Sequence, residues 1–131
     1  MTNYGVSQYQ RTQVMTASGV QVIVLLYDAA VRSLELAREG ILRNDHRDKA
    51  RFLGRAIAIV GELSNVLDME RGGDIAQSLR RLYDYVLHEC TRANLHHEPK
   101  RLDGPLRCLA TLREAWATVA REGMYKRTVG A

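Results

Sequence analysis

The chain has 131 residues, of which 46% are hydrophobic and 26% are charged, and its formal net charge is +4 at pH 7. This length fits one domain with a core of its own, and the composition is that of a globular protein rather than a disordered one. Positive and negative side chains interleave at helical spacing, as Arg32, Glu35, Arg38 and Glu39 do. Such mixing is typical of a solvated surface and argues against a nucleic-acid-binding protein.

The first 17 residues are predicted to form a polar, flexible N-terminal arm. They lack the apolar run of a secretory signal peptide, so we expect a cytoplasmic protein. The longest apolar run of the chain covers residues 22–27. Because a helix needs roughly 20 apolar residues to cross a bilayer, no insertion into a membrane is expected.

The first helix is predicted over residues 18–43. Ser18 and Gln21 form a capping-box pattern at its start. Asn44 is suited to the left-handed conformation that ends a helix, and Asp45 to the cap of the next one. Between these signals, apolar residues recur at three- and four-residue steps: Ile23, Leu26, Ala30, Leu34, Ala37 and Ile41.

The second helix is predicted over residues 45–69, and a glycine pair follows it. Gly72 and Gly73 permit a tight reversal of the chain because glycine adopts positive φ at little cost. Asp74 is expected to cap the third helix through its side-chain oxygen, with Gln77 placed to answer it reciprocally. The sequence therefore predicts a helical hairpin centred on the two glycines.

The third helix is predicted over residues 74–94, with Asn94 suited to end it. The fourth is predicted over residues 104–121, where Pro105 falls in the first turn and its missing N–H costs nothing. Residues 122–131 fall outside the apolar pattern and are expected to form a flexible C-terminal tail.

Four predicted helices with short connections indicate an all-α fold, an antiparallel four-helix bundle. No alternating strand pattern competes with this interpretation. The bundle is expected to be a single domain spanning residues 1–131.

The sequence contains no motif of catalytic or metal-binding chemistry. It has no Glu-x-x-His pair for a di-metal site, no nucleophile motif and no glycine-rich phosphate loop. Cys90 and Cys108 form no Cys-x-x-Cys pair, and the histidines lack a spacing that would complete a metal site. We therefore expect no enzyme activity, no cofactor, no metal and a reducing compartment.

The apolar pattern is wider than a bundle core requires. Residues 22–27 sweep the whole circumference of the first helix, and Tyr83 and Leu87 widen the stripe of the third. Either the first helix is more central than its neighbours, or the N-terminal arm with Tyr9 and Val14 covers it, or the surplus lines a groove for an amphipathic partner helix. Periodicity leaves these alternatives open.

A series of short motifs gives the chain a family resemblance. They run in order: Tyr9-Gln10, Val14, Thr16-Ala17-Ser18, Ile23, Leu25-Leu26-Tyr27-Asp28-Ala29-Ala30, Glu62-Leu63, Leu67-Asp68, Gly72-Gly73, Ile75-Ala76, Leu79, Leu82-Tyr83-Asp84-Tyr85 and Ala93-Asn94. In this series the chain resembles the FliS family of flagellar secretion chaperones, and residues 112–116 are a weaker echo. Two positions depart from the family pattern, since Gly19 stands where proline is usual and Ala29 where glycine is usual.

The resemblance implies a cytoplasmic, non-enzymatic helical bundle that binds the disordered C-terminal segment of flagellin in apolar surface grooves. Binding of this kind prevents premature polymerisation before type III flagellar export. A component of the flagellar export gate is a second candidate partner. The expected partner contacts, each equally suited to a core, are Tyr9, Val14, Ile23, Leu26, Tyr27, Ile57, Leu63, Leu79, Tyr83 and Leu87.

Two other functions stay open on the sequence. One is a helical adaptor that binds a different export or regulatory protein, and the other, with less support, is a basic nucleic-acid-binding bundle. Phosphate contacts would make affinity fall steeply with salt, whereas an apolar groove would bind with weak salt dependence and a negative heat-capacity change.

Overall fold

The computed structural model describes the backbone of residues 19–130 and the side chains of residues 19–123. Over this range the chain forms four α-helices and one short 3-10 helix, and it contains no strand. The helices are α1 (Gly19–Leu42), α2 (His46–Asn65), α3 (Met69–His96) and α4 (Asp103–Gly130), and the 3-10 helix is Pro99–Leu102. None of the described helices is long and apolar enough to span a bilayer.

The four helices form an antiparallel bundle, which confirms the predicted fold class. Helix α1 packs beside α2 and α4, and α3 packs beside the same two helices from the other side. Two ion pairs record the antiparallel register of α1 and α4: Arg38 with Asp103 at 3.2 Å, and Asp28 with Arg113 at 2.6 Å. Helices α2 and α4 therefore lie diagonally across the bundle from each other.

Two tyrosines join the other diagonal through the core. The hydroxyls of Tyr27 on α1 and Tyr83 on α3 are hydrogen-bonded to each other, and their rings lie 6.4 Å apart between centroids. Burial raises the pKa of both hydroxyls, so each stays protonated and available as a donor. Fully buried aliphatic side chains surround the pair, among them Leu34, Leu53, Val60, Val86 and Leu109.

The predicted junction between the first two helices is confirmed. Asn44 has φ +59°, the left-handed conformation expected of it. The side chain of Asp45 accepts a hydrogen bond of 3.0 Å from the backbone N–H of Asp48, as an N-cap does. Ser18, the predicted cap of the first helix, lies outside the described residues.

The predicted break at the glycine pair is present, but the helix boundary and the cap before it differ from the prediction. Gly73 has the positive φ expected of it, with φ +51° and ψ −129°, and α3 is sharply bent there. Helix α2 already ends at Asn65. Asp68 rather than Asp74 is the N-cap of α3, since its side chain accepts from the backbone N–H of Arg71 at 3.0 Å.

The ends of the last two helices also differ from the sequence prediction. Asn94 does not end α3; the helix runs on to His96, and His97 takes the left-handed conformation with φ +55°. Helix α4 begins at Asp103, with Pro105 in its first turn as predicted, and its backbone stays helical to Gly130, through the predicted tail. No proline interrupts that stretch, so nothing in the sequence forces the helix to stop earlier.

Candidate functional site

Helix α4 has an open apolar groove against α3. We define the α3/α4 groove by the residues that line its hollow of about 370 Å³: Leu82, Arg107, Cys108, Thr111 and Leu112. Leu82 keeps 38% of its surface exposed although it lies next to the buried Tyr83. The groove is therefore a depression with an aliphatic floor and no cover among the described residues.

The contact between α3 and α4 beside this groove is sparse. At the start of α4, Tyr85 lies against Gly104, and just before it Arg101 of the 3-10 helix pairs with Glu89 of α3 at 3.9 Å. The two helices otherwise pack less closely than any other adjacent pair of α-helices in the bundle. The separation leaves apolar side chains on both walls without partners within the described part of the chain.

Both walls continue the apolar surface toward the open end of the groove. On α3, Ile75 is 75% exposed, one helical repeat before Leu82. On α4, Val119 is 47% exposed and lies seven residues beyond Leu112, which places it on the same side of the helix. The exposed apolar surface thus extends over about two helical turns, the length over which a partner helix makes its anchor contacts.

A second groove, which we call the α1/α4 groove, lies on the other flank of α4. It consists of two hollows, one of about 380 Å³ and one of about 320 Å³. Asp28 and Arg113, which form an ion pair, both lie on the rim of the larger hollow. The apolar lining residues are Val24, Leu25, Ala117 and Ala120 in the larger hollow, and Val31, Leu106 and Ala110 in the smaller one.

Part of the charged rim of the α1/α4 groove is internally paired. Arg113 donates hydrogen bonds to Asp28 at 2.6 Å and to Glu114 at 2.8 Å, and these two contacts raise the pKa of its guanidinium. Arg38 pairs with Asp103 beside the smaller hollow at 3.2 Å. The groove therefore offers another molecule apolar surface together with the charged side chains that have no ion pair within the described part of the chain: Glu35, Arg107 and Arg121.

The structure places three of the predicted partner contacts in the core. Tyr27 is 0% exposed, and Leu63 and Tyr83 are each 2% exposed, so none of them offers surface to a partner in this conformation. They face inward because each lies on the central line of its helix stripe. The predicted contacts Tyr9 and Val14 lie outside the described residues.

The other predicted contacts lie at the margin of the core. All five are partly buried and packed against it: Ile23, Leu26, Ile57, Leu79 and Leu87. Leu79 lies one helical turn before Leu82, near the α3/α4 groove, but is not one of the residues that line the hollow. Leu87 lies on the opposite flank of α3.

Sequence reasoning missed the contribution of α4. Its apolar residues fall on two flanks of the buried Leu109: Leu106 and Ala110 toward α1, Cys108 and Leu112 toward α3. A helix with a neighbour on each side needs apolar residues on both flanks. The wide apolar stripe of α4 can be recognised in the sequence. The same pattern fits a helix buried on both flanks, so it does not by itself reveal a groove.

The grooves carry no activated chemical group. Burial raises the pKa of the Cys108 thiol, and it raises that of Cys90 to about 12, so both remain neutral and poorly nucleophilic. Within the described residues no three His, Cys, Asp or Glu side chains are grouped to hold a metal ion. The arrangement is suited to binding an apolar helix face.

Comparison with known proteins gives a consistent set of matches. A family model described as "Flagellar protein FliS" matches residues 1–123. The flagellar secretion chaperone FliS of Salmonella typhimurium is 31% identical over 97% of this chain and 98% of its own length. FliSB of Pseudomonas aeruginosa is 34% identical over 83% and 90%, and FliS of Vibrio cholerae is 30% identical over 85% and 82%.

Proposed function

Because the chain belongs to the FliS family of flagellar secretion chaperones, we propose that it is a cytoplasmic, non-enzymatic export chaperone for flagellin. It binds the disordered C-terminal segment of flagellin in the grooves that flank α4. Covering that segment prevents premature polymerisation and keeps the subunit competent for type III flagellar export. The observation that carries this proposal is the open apolar surface of the α3/α4 groove.

The physical properties of the α3/α4 groove favour a helical apolar occupant. Its lining has two large aliphatic side chains, Leu82 and Leu112, and one charged residue, Arg107. Burying a large aliphatic side chain contributes roughly 1.5–3 kcal/mol, so a few anchors offset the roughly 2–5 kcal/mol that ordering a disordered segment costs. The bound segment leaves without ATP hydrolysis by the chaperone when the export gate, a second proposed partner, competes for it.

The predicted contacts enter this proposal in two groups. Leu79 lies near the α3/α4 groove, and the part-buried Ile23, Leu26, Ile57 and Leu87 extend the contact where the segment wraps the bundle. Residues 1–17 cover a groove before flagellin arrives, with Tyr9 and Val14 as the inserted side chains. Deletion of residues 1–15 is expected to change the affinity for flagellin, and an unchanged calorimetric affinity removes the arm from the mechanism.

The test is titration calorimetry of the full chain with a peptide spanning the C-terminal segment of the host's flagellin. Wild type is expected to bind one peptide with a negative heat-capacity change. Leu82→Asp is expected to weaken binding by about 2 kcal/mol, roughly thirtyfold, because it places a carboxylate against the apolar face of the peptide.

The matched control is Leu95→Asp on the same helix. Leu95 is 76% exposed and lies outside the hollows described above. Its affinity should stay at the wild-type value. Equal losses for both variants, or tight binding to a flagellin lacking its C-terminal segment, contradict the proposal and favour an adaptor for another protein. A steep linear fall of log affinity with log salt, together with binding to DNA, favours the nucleic-acid alternative.

A further inference from the structure

A row of arginines covers the solvent side of α2. Arg47, Arg51 and Arg55 follow one another at four-residue steps and are all exposed. On the inner side of the same helix, the buried Lys49 donates to the carbonyl of Asn94 at 3.2 Å, so this flank of α2 lies against α3. We call the three arginines of α2 the basic face.

The basic face has no counter-charges among the described residues. None of its three guanidinium groups has a carboxylate within 4.0 Å in the described part of the chain. Other described arginines also lack such a partner, namely Arg32, Arg80, Arg81, Arg92, Arg107 and Arg121, but only on α2 do three of them follow one another at four-residue steps. Asp48, the carboxylate next to Arg47 in the chain, pairs with Arg43 at 3.1 Å. The positive charge is therefore concentrated and uncompensated.

The side chain of Arg51 is partly held in place. Its guanidinium lies over the ring of Phe52, 5.1 Å from the ring centroid. A guanidinium stacked on a ring keeps its N–H groups directed outward for hydrogen bonds to an acidic partner. The contact lowers the entropy that Arg51 loses on pairing with a carboxylate.

Beside the arginine row, the surface of α2 carries only small side chains. Ala50, Gly54 and Ala58 follow at the same four-residue steps and are all exposed. A Cβ built on Gly54 would meet no atom within 4 Å, so packing inside the bundle does not require glycine there. The backbone of another helix can approach this row closely while its side chains reach the arginines.

We propose that the basic face docks an acidic helix of a partner protein. Its carboxylates recur at four-residue steps and pair with Arg47, Arg51 and Arg55 over a length of about 12 Å, two turns of helix. A polypeptide helix fits better than nucleic acid, because the alanine and glycine row offers nonpolar, close contact that a phosphate backbone does not use. The proposal is independent of flagellin binding.

The basic face and the α4 grooves lie on opposite sides of the bundle. Helix α2 does not touch α4 within the described part of the chain. An acidic helix on α2 therefore leaves both grooves open, and the chaperone carries its flagellin segment and the second partner together.

The test uses the full chain and a helical alanine-based peptide with glutamate at three successive four-residue steps. A peptide with glutamine at those positions is the probe control. Fluorescence anisotropy at low and physiological salt measures both affinities. Tighter binding of the glutamate peptide is expected, and the double variant Arg51→Glu, Arg55→Glu should lose about tenfold or more of it, as expected for reversed charges.

Matched against this variant is Arg32→Glu, Arg121→Glu, with the same change in net charge on α1 and α4. At physiological salt it should lose much less affinity than the variant on α2, since its charges lie on other helices and salt weakens the effect of exposed charges that do not contact the peptide. Equal losses for the two double variants, equal binding of the glutamine peptide, or tighter binding of duplex DNA each overturn the proposal. If the glutamate variant melts at a lower temperature, Arg51→Gln, Arg55→Gln replaces it with the same expected direction.

Simultaneous binding is tested on the complex of the chain with the flagellin peptide. The affinity for the glutamate peptide is expected to stay within about twofold of that of the free chain, since the sites share no residue. Competition between the two peptides overturns simultaneous binding. Failure of the flagellin peptide to bind contradicts the proposed function alone, because the glutamate peptide is measured on the free chain as well.

Discussion

Two pairs of adjacent helices in this bundle differ sharply in how they pack. Helices α1 and α2 form its most extensive contact, with Gly40 so near α2 that a Cβ there would lie 2.9 Å from the backbone nitrogen of Lys49. Helices α3 and α4 form the sparsest contact of adjacent α-helices, with a close approach of Tyr85 to Gly104, and a groove lies between them. The closed pair provides stability, and the open pair provides surface for a partner.

The largest effect is expected from filling the closed contact. Gly40→Leu should lower the free energy of unfolding by about 3 kcal/mol, because overpacking against backbone forces the two helices apart. Chemical denaturation measures it. Gly54→Leu is the matched control, since a side chain there meets nothing within 4 Å, and it should leave stability unchanged or raise it by up to about 1 kcal/mol. Equal destabilisation would refute the assignment of Gly40 to a close helix crossing.

The open pair can be probed through its thiol. Cys108 lines the α3/α4 groove and is partly exposed, whereas Cys90 is fully buried. A thiol reagent should modify Cys108 first, and a bound flagellin peptide should slow that reaction by about tenfold or more by covering the groove, following the fraction of free chain. Mass spectrometry of the labelled chain identifies the site. Labelling of Cys108 at an unchanged rate in the saturated complex would mean that the peptide binds elsewhere.

Because α3 is poorly held by α4, the tyrosine pair matters for its position. Tyr83→Phe removes the hydrogen bond to Tyr27 and should cost about 1 kcal/mol of unfolding free energy. Tyr85→Phe, at a residue that is 44% exposed, should change stability by less than about 0.5 kcal/mol. Denaturant melts of both variants test this. A larger cost at Tyr85 than at Tyr83 would mean that the α3/α4 end contact, not the core, fixes α3.

The smallest effect is expected at the closed end of the bundle. Desolvation first, then the charges of Lys49 and His46, lower the pKa of His97. Lys49 lies 3.1 Å from Nδ1 of His97, and the rings of His46 and His97 lie 4.7 Å apart. The folded state thus binds fewer protons than the unfolded state just below pH 6.5, the ordinary value.

The contribution of His97 to the unfolding free energy should accordingly be fully present above pH 6.5 and be lost as the pH falls below that value. The measurement is unfolding free energy against pH for wild type and His97→Asn, since asparagine tolerates the left-handed backbone of position 97. The unfolding free energy of the asparagine variant should depend less on pH than that of the wild type. An unchanged profile would show that other groups account for it.

Several features of the fold could be predicted from local sequence. The left-handed Asn44 and the capping Asp45 are recognisable because their side chains act on backbone groups within three residues. The positive φ of Gly73 was predictable in the same way, but the choice of cap was not. Asp68 offers the same cap chemistry six residues before Asp74, and local rules do not rank two suitable caps. Asn94 failed likewise, because a longer α3 gives its carbonyl a tertiary partner in Lys49.

The candidate site was less predictable than the fold. Leu82 and Tyr83 are neighbours of similar apolar character, yet one lies in a groove and the other is buried against Tyr27. Successive residues on a helix point about 100° apart, and only the positions of α1 and α4 decide which direction is inside. For lack of that information, periodicity left Tyr83 equally suited to a partner contact and to the core.

The sequence by itself determined four amphipathic helices, their antiparallel order and a family likeness, since these depend on periodicity, caps and ordered motifs along one chain. Only the tertiary structure decided that α1 and α2 pack closely while α3 and α4 leave a groove, and that the arginine row of α2 has no carboxylate partners among the described residues. The physical reason is that the exposure of a side chain depends on the neighbouring helix as well as on its own. An apolar flank is buried in the core or lines a groove according to how closely another helix approaches it.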